Sequence, residues 1–230
     1  MLPRIVVDRR IAGACPGMAI GLIRAKVANA PTSDGLWSEI EAECAAVAAR
    51  YQLLEVNRRP AVAATRALYR SLGKDPNRYR VASEALCRRV IRGLGLYRIS
   101  SVVDIINLVS LRSGYAISGL DADRLSGDTL TMGVGGPGER YEGIGRGPLN
   151  IEGLPVYRDA AGGVATPTSD EERTKITLST TTLQMNINAF GPEMPVAETV
   201  EWSVDLLRRH ASATDVETAI LTANSNLVIS

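Results

Sequence analysis

From Val102 to Leu111 every residue is aliphatic except Asp104, Asn107 and Ser110. A spacing of three puts that carboxylate, amide and hydroxyl on one narrow stripe of a helix that is otherwise greasy around its circumference. Such groups together can hold a water, an ammonium or a hydroxyl. Buried polar groups need partners, so the stripe either lines a wet pocket or bonds neighbouring backbone. The pattern by itself favours the second. A later run, Thr181 to Phe190, alternates Thr182, Gln184, Asn186 and Asn188 against Leu183, Met185, Ile187 and Ala189. It predicts a strand with one apolar face and one uncharged polar face, which either meets solvent or floors a binding cleft.

Other chemistry is missing. The sequence has no Gly-x-Ser-x-Gly elbow, no Cys/His pair and no His-x-x-x-His. The single histidine, His210, follows Arg208 and Arg209 at the end of a helical pattern, where a cation suits the helix dipole. One histidine cannot assemble a histidine-rich metal site, nor a triad with alternatives to spare. The glycine-rich stretch from Gly133 to Gly147 lacks the strand-to-helix setting of a phosphate-binding loop. No metal and no cofactor are therefore expected. An enzyme built from this chain would work by positioning, by carboxylates, or by groups on the substrate itself.

Formal net charge is +1, but the distribution is uneven. From Arg58 to Arg98 the chain carries eleven basic residues, ten of them Arg, against only Asp75 and Glu84. The guanidinium fork suits phosphate. Arg88, Arg89 and Arg92 lie toward one side of a helix whose other side carries Leu86, Cys87, Val90 and Ile91. That basic side is either a solvated face or a phosphate contact.

The elements that must position these residues are readable from period and punctuation. Strands are predicted at Leu2–Val7, Met18–Val27, Tyr115–Ser118, Asp128–Val134, Pro155–Arg158, Val164–Thr168 and Thr181–Phe190. Helices are predicted from Leu36 to Tyr51, from Pro60 to Gly73, from a Ser83 cap to Gly93, from Ser100 or Ser101 to Gly114, and from Pro195 to His210. A short helical turn is expected at Asp121–Leu125, and the tail from Ser212 to Ser230 adds a short helix or strand. The fold class is thus α+β: a mixed, mainly antiparallel sheet flanked by helices.

At 230 residues with 45% hydrophobic content, the chain suits a single domain spanning 1–230 with a real core. Aromatic content of 4% makes that core aliphatic. Cys15, Cys44 and Cys87 are odd in number and widely spaced, against both a disulfide framework and a zinc cluster. No run approaches 18 apolar residues, and Met1 to Asp8 reads as a strand rather than a signal peptide. A cytoplasmic protein with no membrane partner is expected.

The stretch from Ser83 to Asn107 carries a helix with paired basic residues, Arg88-Arg89, through a turn into Val102-Val103-Asp104-Ile105-Ile106-Asn107. It resembles the signature of the B3/B4 domain, the tRNA-editing domain of the phenylalanyl-tRNA synthetase beta chain. The similarity continues through Leu120-Asp121-Ala122-Asp123-Arg124-Leu125-Ser126-Gly127, Gly138-Glu139-Arg140-Tyr141 and Arg158-Asp159. Arg66 to Gly73, Pro76 to Arg80 and Glu172 to Thr177 resemble the free-standing branch of that family. The resemblance covers about 55–190.

It implies the synthetase beta-chain editing-domain fold, with a pocket between the sheet and the buried helix. It also implies hydrolysis of mischarged aminoacyl-tRNA acting in trans, with the tRNA acceptor end as partner and no DNA partner. A non-catalytic tRNA or amino-acid binding module, and a small-molecule enzyme reusing the pocket, are the alternatives. On this resemblance Asn107 and Ser118 are the catalytic candidates. Asp104, Ser110, Asn186 and Pro167 are the substrate-binding candidates, and Arg88, Arg89 and Arg92 contact tRNA. The sequence also departs from the family. Ser118 stands where a pocket histidine is expected, Asn186 where a glutamate reads the misplaced side chain, Ile106 where a threonine precedes the asparagine, and Pro167 near a glycine. Editing of tyrosyl esters loses its reading group by these changes.

Overall fold

The computed structural model describes residues 1–222 and 228–229. In chain order the elements are β1 (Arg4–Val7), α1 (Arg9–Ala14), β2 (Ala19–Lys26), α2 (Asp34–Arg50), α3 (Pro60–Ser71), α4 (Ala82–Ile91) and α5 (Ser101–Ser113). There follow β3 (Ala116–Asp121), β4 (Thr129–Val134), β5 (Glu142–Gly143), β6 (Gly147–Pro148), β7 (Pro155–Asp159) and β8 (Gly162–Ala165). The chain ends with β9 (Thr182–Ala189), α6 (Val196–Ala211), β10 (Thr214–Thr222) and β11 (Val228–Ile229). The fold is α+β with mainly antiparallel strands, as the sequence pattern predicts.

The strands form two sheets rather than one. Sheet order β10-β2-β9-β3 is antiparallel throughout. Order β11-β1-β4-β7-β8 is mixed, with β1 parallel to both its neighbours. A separate hairpin, β5-β6, stands apart. The alternation of β2 explains the layering. Ile23 and Ala25 face α2, α5 and α6, whereas Ile20 and Leu22 face the other sheet with Ile5, Val7, Leu130 and Met132. Gly21 lets α6 approach, because a Cβ there would stand 2.8 Å from Val200 Cγ2.

Helix α5 is wrapped almost completely, its aliphatic residues joining the core between the antiparallel sheet and the helices. It ends where predicted, at Gly114, which takes φ 74° as its left-handed cap. A buried cation secures that end. The Arg59 guanidinium donates to the carbonyls of Leu111 (2.9 Å) and Arg112 (3.0 Å) and pairs with Glu193 at 2.7 Å. Glu193 in turn accepts from the amide of Ala61 at the start of α3. Helix α4 starts two residues earlier than the Ser83 cap predicts, with Val81 at the N-cap. Ala82 N–H donates to Pro167 O at 2.8 Å, so the helix start is pinned to the loop 166–170, and the Ser83 hydroxyl is buried inside the helix without a partner. The tail adds a strand, β10; residues 223–227 and 230 lie outside the described residues. Among the described residues, no helix is long and apolar enough to cross a membrane.

Candidate active site and arginine groove

The three polar residues of α5 do not act together. At 100° per residue, a spacing of three drifts by about 60° at each step, so Asp104 and Ser110 end up about 120° apart around the helix. Asp104 turns to the backbone. Its carboxylate accepts from Ile99 N–H at 3.1 Å and from the Thr32 hydroxyl, locking the loop before α5. Burial pushes this carboxyl above its ordinary range, with those hydrogen bonds opposing. Ser110 donates to Tyr115 O at 2.8 Å. Both spend their polar atoms on local structure, which corrects the expectation that they bind substrate. Asn107, between them, opens into a cavity.

That cavity, of about 270 Å³, lies between α5 and the edge strand β3. Its apolar wall is Val103 and Ile106 from α5, Ile117 from β3 and Ile176. Gly119 makes the wall possible: a Cβ would stand 2.3 Å from Ile106 Cδ1 and 2.9 Å from Ile176 Cδ1. The polar wall is Asn107 and the loop carrying Thr166, Pro167, Ser169 and Asp170, with Ile144 from the tip of the β5-β6 hairpin at the mouth.

Asp170 is the group that sequence reasoning missed. Its carboxylate docks on the free edge of β3, accepting from Gly119 N–H at 3.0 Å. Burial raises its pKa to about 7, while bonds from the Gly119 amide and the Ser118 hydroxyl pull the other way. Near neutral pH it is therefore divided between acid and base. In the sequence, Pro167-Thr168-Ser169-Asp170 followed by two glutamates reads only as a polar turn. The one available signal was that carboxylates are among the few groups left to an enzyme with a single histidine.

Ser118 and Asn186 lie outside the cavity. They are register partners on β3 and β9, so their side chains share a face, and that face looks away from α5. Both are fully buried. The Gln184 side chain donates to Asn186 Oδ1 at 2.8 Å, and Tyr157 from the second sheet donates to Asn188 Oδ1 at 2.8 Å. The polar face of β9 thus meets neither solvent nor a cleft but the seam between the two sheets. Ser118 touches the site only through Asp170. Of the six pocket candidates, Asn107 and Pro167 line the cavity; Ser118, Asn186, Asp104 and Ser110 do not.

Beside the cavity runs a groove of about 400 Å³ whose lining holds five arginines (Arg80, Arg88, Arg89, Arg92 and Arg146) and no acid. Asn107 and Ala82 line both hollows, so groove and cavity adjoin. The arginines differ in freedom. Arg88 is held by Glu84 at 2.8 Å and by Leu53 O at 3.0 Å. Arg89 lies on the Tyr97 ring. Arg92 and Arg146 are exposed and form no ion pair among the described residues.

The family description "B3/4 domain" matches residues 64–221. The chain belongs to the B3/4 domain family. The match runs beyond residue 190, so the family unit takes in α6 and β10 as well as the cavity and the groove. No curated protein matches. Among solved structures, the chain is similar to an N-terminal fragment of the phenylalanyl-tRNA synthetase beta-subunit from Pyrococcus horikoshii, at 11% identity and a TM-score of 0.44. That similarity covers 94% of this chain and 52% of the fragment, so this B3/4 chain spans about half the fragment's length.

Proposed function

We propose that this B3/4 domain hydrolyses the ester joining an amino acid to the 3′ end of tRNA, acting in trans on a mischarged acceptor end. The observation that carries the reading is the shared wall at Asn107: a small, half-apolar cavity adjoins an acid-free arginine groove. A cavity of about 270 Å³ sits at the small end of ligand sites, sized for an amino-acid side chain rather than a nucleotide. The groove offers cations to phosphates.

Asp170 supplies the base. A carboxylate with a pKa of about 7 takes a proton from water at neutral pH far better than an ordinary one. The hydroxide equivalent adds to the ester carbonyl, and the Asn107 amide donates to the oxyanion. Collapse breaks the bond to the ribose oxygen, which takes the proton back from Asp170. An aminoacyl ester is already activated, so positioning supplies much of the rest. The aliphatic wall of Val103, Ile106, Ile117 and Ile176 selects an apolar side chain, and no hydroxyl-reading group stands at Asn186 to favour tyrosine.

A panel of mischarged tRNAs tests this. At least one is expected to lose its amino acid faster with protein than without, and an Asp170→Asn variant to lose most of that acceleration. If none is deacylated yet tRNA still binds in a salt-sensitive way, the domain is a binding module. The burial of Ser118 and Asn186, positions at which the resemblance expects a pocket histidine and a side-chain-reading glutamate, is the observation that favours that second reading.

A further inference from the structure

Helix α4 leaves through Gly93-Leu94-Gly95, whose two glycines take φ 74° and 58°. The turn throws Leu94 and Tyr97 outward, 57% and 58% exposed. With Ile99 and Ile144 they make up half of the eight large hydrophobic residues exposed on the described surface, and all four line the groove or the cavity. Apolar exposure gathered at one mouth marks a contact surface.

Tyr97 is held ready. The Arg89 guanidinium carbon lies 3.8 Å from the ring centroid, and Arg89 also donates to the Tyr97 hydroxyl at 2.9 Å. The other Arg89 Nη donates to Leu94 O at 3.3 Å, which fixes the guanidinium against the ring. Arg89 covers one face of the ring, more than half of the residue is exposed, and Tyr97 lines the groove. Around it stand Arg80, Arg92 and Arg146. A fixed aromatic face among cations accepts a flat, electron-rich ring on an anionic chain, which is an unpaired nucleobase.

We infer that Tyr97 is a base-stacking platform for an unpaired nucleotide at the 3′ end of the RNA, with Arg92 and Arg146 on the flanking phosphates. The inference rests on the tRNA reading above and adds a subsite to it. It assigns the reading of the strand end to stacking, which tolerates any base, rather than to base-edge hydrogen bonds.

The test is binding of a short single-stranded RNA ending in adenosine to the full chain. It is compared with the same strand carrying abasic sites at its last three positions, for wild type, Tyr97→Leu and Tyr97→Phe. Wild type is expected to bind the intact strand about tenfold or more tighter than the abasic one. Tyr97→Leu should bind both strands alike, at the weaker level, and Tyr97→Phe should restore the preference. Equal binding of intact and abasic strands by wild type overturns the inference, as does an unaltered preference in Tyr97→Leu or no binding at all. The rim would then be a protein-contact surface. Failure of the hydrolytic reading is read separately, from wild-type protein and charged tRNA. Absent deacylation with an intact abasic discrimination leaves the platform standing, and deacylation without discrimination removes only the platform.

Discussion

Asp170→Asn is the substitution with the most to lose or gain. In the folded protein this carboxyl is raised from 3.8 to about 7, chiefly by burial. Between those values the folded chain holds a proton that the unfolded chain has released. The contribution to stability is therefore fully present below about pH 4 and is lost as pH rises to 7. Integrating that linkage gives a loss of about 2.5 kcal/mol between pH 5 and pH 8. Asparagine does not titrate, and its carbonyl oxygen can still accept from Gly119. Relative to wild type, the variant should gain about 2.5 kcal/mol on going from pH 5 to pH 8, or roughly 5–10 °C in melting temperature for a chain of this size. Urea denaturation of both proteins at the two pH values measures it. A variant-minus-wild-type difference that is the same at both pH values would refute the reasoning, because it would mean that Asp170 ionises like an exposed carboxylate. Deacylation carries the complementary signature: the wild-type rate climbs with pH and levels off above about 7, and the variant lacks that climb.

Three further outcomes follow from the same geometry. Asn107→Ala removes a side chain that the fold leaves free for the cavity, so it should lower deacylation at least about tenfold while leaving the melting temperature almost unmoved in calorimetry. Arg59→Ala should cost about 3–5 kcal/mol in urea denaturation, since it leaves the buried Glu193 carboxylate unpaired and uncaps the end of α5. Reversing two exposed groove cations, Arg92→Glu with Arg146→Glu, should weaken tRNA binding and flatten its salt dependence by about two units of slope. An equal change in Arg88→Gln would not be expected, because Glu84 and Leu53 already occupy that side chain.

Much of the scaffold was legible because its signals are local. The period of α6, the aliphatic girdle of α5, its stop at Gly114 and the alternation of β9 each depend on residues close in sequence. What failed depended on partners far along the chain. Ser83 has the chemistry of a cap, but the Pro167 carbonyl fixes the start of α4 at Ala82. The first helix, α1, escaped notice because its only buried residue is Ile11 and its signal is the Asp8 side chain accepting from Arg10. The polar row of β9 carries no mark of what lies over it, and Tyr157 from another sheet supplies the answer. The spacing of three makes the stripe of α5 look like a unit, although helical drift separates its members. Asp170 was invisible for the plainest reason: its role comes from docking on β3, about fifty positions upstream.

The central claim is that the hollow beside α5 receives an aminoacyl group while the arginine groove holds the strand that bears it. Its most direct test is a structure of the complex with a non-hydrolysable analogue, an amino acid joined by an amide to the 3′ carbon of a terminal adenosine on a short RNA. The account predicts an aliphatic side chain against Ile106 and Ile117, the amide carbonyl within about 3 Å of Asn107 or of a water held by Asp170, and the adenosine on the groove side. An analogue seated elsewhere, with the cavity unfilled at saturation, would contradict it.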